Sequence, residues 1–199
     1  MARIDDYGNG ISLPAEGTFE ARLSSLIDVG LQPTKFGLSR QAKLAFELSG
    51  PTADAEKPVL AFKTIWNLSP RSDGFREIAK ALTNRAELKG LDLRDLVGAP
   101  CMIEIVHVET DNGVYANVEV SRYKGVKKLP ALVSDPVFFS LHPSDFDPDV
   151  LEGLHAKLKE KIKSSSTYKD LLAERELAKL ETKDIIGESA PFDDDIPPF

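Results

Sequence analysis

The chain has 199 residues, with 25 Lys+Arg against 32 Asp+Glu for a net charge of −7, one cysteine and 42% hydrophobic residues. That suits one globular domain with appendages, and it excludes a disulfide framework, a zinc site built on several cysteines and a transmembrane run of 18 apolar residues. Met1 to Gly10 lacks the apolar stretch of a signal peptide, so a soluble cytoplasmic protein is expected, and the negative charge argues at first sight against a nucleic-acid partner.

Thr18 to Val29 alternates, with Phe19, Ala21, Leu23, Ile27 and Val29 on one face and Glu20, Arg22, Ser24 and Asp28 on the other. This is the period of a half-buried strand. Gly30 to Ser39 contains two Gly and a Pro and reads as a long loop. Arg40 to Leu48 alternates again, with Ala42, Leu44, Phe46 and Leu48 on one side, and Gly50 to Lys57 is a polar loop. Pro58 to Leu68 is a third strand with β-formers on both faces. Phe75, Ile78, Ala79, Leu82 and Ala86 then recur at helical steps, with Ser72 or Asp73 as N-cap. A fourth strand runs from Cys101 to Glu109, and Asp111-Asn112-Gly113 is a hairpin signal leading to a fifth, Val114 to Tyr123.

The order β-β-β-α-β-β predicts a mainly β protein with C-terminal helices. A helix between strands three and four favours the OB-fold, a five-stranded Greek-key barrel, over other small β-barrels. Lys124 to Asp149 is irregular and Pro-rich. Helices are expected over Asp149 to Ile162 and Tyr168 to Glu181, separated by Ser164 to Thr167. The expected organisation is a barrel over 1–125, an irregular segment with two helices over 126–182, and an acidic tail over 183–199.

The charge is not spread evenly. Residues 1–128 hold 17 basic and 17 acidic residues, and residues 129–199 hold 8 and 15. Asp184 to Phe199 contains five acids, no base and three Pro, and is expected to be disordered.

The chain ends Phe192-Asp193-Asp194-Asp195-Ile196-Pro197-Pro198-Phe199. This acidic run with an apolar tip resembles the tail of bacterial single-stranded DNA-binding proteins, with one extra Pro before the terminal Phe. The body resembles the phage-encoded single-stranded DNA-binding proteins. That likeness runs through Ala21-Arg22-Leu23 to Gly30, Leu44-Ala45-Phe46-Glu47-Leu48, Asp92-Leu93, Leu96-Val97-Gly98, Tyr115-Ala116-Asn117-Val118, Lys161-Ile162-Lys163-Ser164-Ser165 and Tyr168. The resemblance implies an OB-fold that coats single strands during replication, recombination or repair. It also implies that Asp193, Asp194, Asp195, Ile196, Pro197, Pro198 and Phe199 recruit a partner such as a polymerase, helicase, nuclease or recombinase. In such a partner an apolar slot would hold the Phe199 ring and a basic rim would face the carboxylates. The tail also mimics a phosphate strand and is expected to compete for the protein's own binding groove at low salt.

Sequence-independent binding to single strands needs cations for phosphates and flat aromatic faces for bases. OB-folds use strands 2–3 and the loops joining strands 1–2 and 4–5. Those elements carry Lys35, Phe36, Arg40, Lys43, Lys63, Trp66 and Arg71, and strand 5 and its exit carry Tyr115, Arg122, Tyr123 and Lys124, with Lys127 and Lys128 beyond. Phe36 lies in a Gly-flanked loop without apolar periodicity, which favours exposure. Phe46 reads as core. Trp66 and Phe62 share parity with Leu60 and Leu68, so core packing and stacking both stay open, as they do for Tyr115 and Tyr123.

His107, His142 and His155 are scattered without metal-ligand spacing, Cys101 opens an apolar strand and reads as buried, and Asp145, Asp147 and Asp149 read as a helix N-terminus. No phosphate-binding Gly loop or zinc-protease motif is present. No enzymatic activity, cofactor, metal or membrane contact is expected, and homo-oligomerisation stays open. The alternative reading is an OB-fold adaptor that docks replication enzymes through its tail without binding DNA. A weaker one is an accessory factor of a nuclease or recombinase with RNA preference.

Overall fold

A computed structural model describes residues 13–49, 58–111 and 113–187, with side chains to residue 178. The protein is mainly β, with its helices concentrated late in the chain. Strands β1 (Gly17–Thr34), β2 (Gly37–Ser49), β3 (Leu60–Ile65), β4 (Pro100–Thr110) and β5 (Gly113–Arg122) form an antiparallel series in the order β3-β2-β1-β4-β5. Helix α1 (Asp73–Thr83) lies between β3 and β4 in the chain and buries Phe75, Ile78, Ala79 and Leu82, the stripe that its helical spacing predicts. Each of its large apolar side chains contributes roughly 1.5–3 kcal/mol on burial. The end strands β3 and β5 are not paired to each other, but the Lys63 ammonium on β3 donates to the Val118 carbonyl on β5.

The loop expected over Gly30 to Ser39 is mostly strand. β1 and β2 continue as a ribbon to the pair Thr34 and Gly37, leaving only Lys35 and Phe36 as the turn. The Gly and Pro residues are accommodated because a bulge falls between Asp28 and Gly30, and Gly37 takes φ +107° at the turn.

A second bulge, between Leu23 and Ser25, overturns the expected faces of β1. Ala21 and Leu23 point into the core with Leu44, Phe46 and Ile103. Beyond the bulge Leu26 takes the core face, and Ile27 and Val29 join a second cluster with Phe139, Phe146 and Ile162. One inserted residue reverses the parity of the residues that follow, here as far as the bulge at Asp28–Gly30.

That second cluster is built by the C-terminal segment. Lys124 to Asp149, expected to be irregular throughout, contains strand β6 (Val137–Phe139), which pairs parallel to Ser25–Ile27. It is too short to show a period. The single helix expected over Asp149 to Ile162 is two, α2 (Pro148–Gly153) and α3 (Ala156–Ser164), because Leu154 and His155 are extended. Asp147 caps α2 by accepting from the amides of Asp149 and Val150. Helix α4 (Ser166–Gly187) follows and includes the first residues assigned to the tail; residues 188–199 lie outside the described residues.

The helices close on β1 at Gly30. With φ +76°, a Cβ there would stand 2.6 Å from Ser165 Oγ. Thr167 Oγ1 accepts from the Leu31 amide at 3.0 Å, and Gln32 donates to the Lys161 carbonyl at 3.0 Å. Among the described residues no helix is long and apolar enough to cross a membrane.

Candidate functional site

The β1–β2 ribbon presents its turn to solvent. Phe36 is 88% exposed, and the Lys35 ammonium lies 4.9 Å from its ring centroid. Leu38, next along β2, is also exposed. The Ser39 hydroxyl donates to the Trp66 carbonyl, and the Leu68 amide donates to the Arg40 carbonyl at 2.7 Å. These bonds hold the segment after β3 against the ribbon. The Trp66 ring on that segment is 54% exposed. Arg71, exposed, follows in the chain.

β3 pairs Leu44 with Lys63 and Ala42 with Ile65, so Ile65 faces the core and Trp66 does not. This decides the parity that the sequence leaves open. Phe46 is fully buried, as its spacing suggests.

The cations are not equivalent. Lys35 is exposed. Arg40 is half-buried, and its guanidinium donates to the buried Asp28 carboxylate, with Nε 3.1 Å from Oδ2. The hydrogen bond to Asp28 raises the Arg40 pKa further. Lys43, opposite Thr64 on the outer face of β2, is partly buried. Lys63 is committed to the Val118 carbonyl and lies 3.5 Å from Glu119.

The outer face of β2 is partly occupied by the C-terminal segment. Glu47 accepts from the amides of Val133 and Ser134 at 2.7 and 3.0 Å, and Gln41 accepts from Lys161 at 3.1 Å.

Strand β5 contributes less than its sequence suggests. Tyr115 is only 7% exposed and offers no open ring face. Tyr123 folds back, donating to the Lys127 carbonyl at 2.7 Å, and desolvation together with the charge of Glu20 pushes its hydroxyl pKa up. Arg122, Lys124, Lys127 and Lys128 are exposed. Arg122 pairs with Cys101, which pairs with Ala21, so this basic stretch lies toward the opposite end of β1 from the Phe36 turn. The structure therefore brings Lys35 and Phe36 together on the turn and ties the Trp66 backbone to the same ribbon, and it leaves Arg122 and Lys124 apart. The partner-binding residues Asp193–Phe199 lie outside the described residues. Leu38 was missed because it fell within the expected loop.

Two of the histidines have polar partners. His107 Nε2 lies 2.8 Å from the Pro14 carbonyl, His142 Nδ1 lies 2.8 Å from Ser144 Oγ, and His155 precedes α3. Among the described residues no three His, Cys, Asp or Glu side chains come together as a metal site would require. No protein-family model matches the chain, and no curated protein matches it.

Proposed function

We propose that this protein is an OB-fold single-stranded DNA-binding protein that coats strands without sequence specificity and carries no chemistry of its own. The observation that carries the reading is the pair of exposed rings, Phe36 beside Lys35 on the β1–β2 turn and Trp66 on the segment hydrogen-bonded to that ribbon. Exposed aromatics are costly to leave in water, and beside cations they suit stacked bases joined by phosphates.

The strand order and the helix between β3 and β4 support the OB assignment. Lys63 bridging β3 and β5 supports a barrel drawn together at that seam. The residues that carry the family resemblance also meet in space. Arg22 donates to the Gly98 carbonyl at 2.6 Å, and Gly30 packs on Ser165. In this reading the protein acts in phage replication, recombination or repair, and its acidic tip recruits a partner enzyme.

Fluorescence anisotropy with oligo-dT and with duplex, each at two salt concentrations, tests the reading. Preferential binding of oligo-dT that weakens with salt is expected. No binding of oligo-dT at low salt, even after removal of residues 188–199, would reject it in favour of an adaptor that only docks enzymes.

A further inference from the structure

Where β3 and β5 face each other unpaired, a cleft of about 290 Å³ opens. Its floor is apolar, made by Ile65, Phe75 and Val118 of the core. The exposed Trp66 stands at its edge, and Ser72 and Asn117 also line it.

Its polar groups are under-used. Ser72 precedes α1, yet its hydroxyl makes no capping bond. Thr64 also lines the cleft, and its hydroxyl is buried without a hydrogen-bond partner. The Asn117 amide reaches only Glu119, at 3.4 Å.

We propose that this cleft takes one base of the bound strand, inserted beside Trp66, so that the protein holds the strand in a fixed register. The inference rests on the single-strand reading above. A base has apolar faces and polar edges, which matches an apolar floor edged by an amide and a hydroxyl. A phosphate fits poorly. Among the described residues the cation lining the cleft is Lys63, already held by the Val118 carbonyl, and an apolar floor penalises a buried charge. The volume lies near the lower limit of about 300 Å³ for ligand pockets, which suits one planar ring rather than a whole nucleotide.

Gly74 supplies the test. It lines the cleft as the second residue of α1, and a Cβ there meets nothing within 4 Å. Gly74→Leu should therefore fold at least as well as the wild type, since leucine is the better helix former, while its side chain fills the cleft. An equal or higher Tm with about tenfold weaker oligo-dT binding is expected, with the salt dependence unchanged because no phosphate contact is lost.

Thymidine, an uncharged nucleoside, should cause saturable NMR shifts at the Asn117 amide and the Trp66 indole in the wild type and none in Gly74→Leu. Wild-type binding that Gly74→Leu leaves unchanged, without nucleoside shifts in the wild type, overturns this inference alone. Failure of the wild type to bind oligo-dT overturns the coating reading, and the inserted base with it.

Discussion

Asp28 and Arg40 meet across the β1–β2 ribbon, the carboxylate 2% exposed and the guanidinium 38% exposed above it. The same carboxylate accepts from the Gly30 amide at 2.9 Å and from the Leu141 amide at 3.3 Å. One side chain thus joins the ribbon, its bulge and the C-terminal segment. Removing it leaves the two buried amides without an acceptor and the half-exposed cation unpaired, and each stranded buried donor costs about 1–3 kcal/mol. Asp28→Ala should lose stability of that order in urea denaturation, and a loss below about 1 kcal/mol would show that the contact is dispensable.

Phe36 has almost no packing to lose. Phe36→Ala should change stability by less than about 0.5 kcal/mol, while oligo-dT binding weakens by about 1–3 kcal/mol, the contribution of one stacked base. Trp66→Ala should weaken binding similarly. Trp66 is the sole tryptophan, so its fluorescence in the unmodified protein should be quenched as DNA is added. Full affinity in both alanine variants would remove the ribbon from the binding surface.

Cys101 is fully buried on β4, and burial pushes its thiol pKa up to about 12. Because the folded value lies above the ordinary thiol value of about 8.5, burial favours the neutral thiol. Its contribution to stability is complete below that ordinary value and declines as pH rises through the window toward about 12. At pH 8 a thiol reagent should label the native protein only as fast as it unfolds, and rapid native labelling would contradict the burial.

Glu152 on α2 reaches across the helix break to α3. It accepts from Lys163 at 2.8 Å and from Lys159 at 3.2 Å, and these hydrogen bonds, Lys163 foremost, lower its pKa. The small stabilisation is present above the ordinary carboxylate range and is lost as pH falls through the lowered folded value. Carboxyl NMR titration should place Glu152 below an ordinary glutamate, and Lys163→Met should move it back up. High salt should shrink the difference, since the pair is exposed.

Removing residues 188–199 deletes four acids and no base. If these acids compete with DNA, the shortened protein should bind oligo-dT more tightly at low salt and match the full chain at high salt. Equal affinity at low salt would sink the competition.

Much of the sheet was legible in the chain. Alternation in β2 puts Ala42, Leu44, Phe46 and Leu48 on one side, and all four are core. The three- and four-residue steps of α1 hold as well. The ribbon beyond Gly30 was not legible, because Gly and Pro signal a loop when read locally, while a bulge and pairing with β2 keep the strand going. Nor was the site. Trp66 has the parity of Leu60 and Leu68 in the sequence, and only pairing of β3 with β2 decides that Ile65 faces inward.

By itself the sequence determined the periodic elements, the single cysteine and the charge split that leaves residues 1–128 neutral and residues 129–199 at −7. These are local or compositional properties, and each is set by neighbours within a few residues. Tertiary structure alone decided that Asp28 is buried, that Arg40 and Lys63 are committed cations, and that a cleft lies between β3 and β5. Those outcomes depend on contacts such as Asp28 with Leu141, between residues far apart in the chain. A bulge of one residue can reverse them without leaving a mark in the pattern.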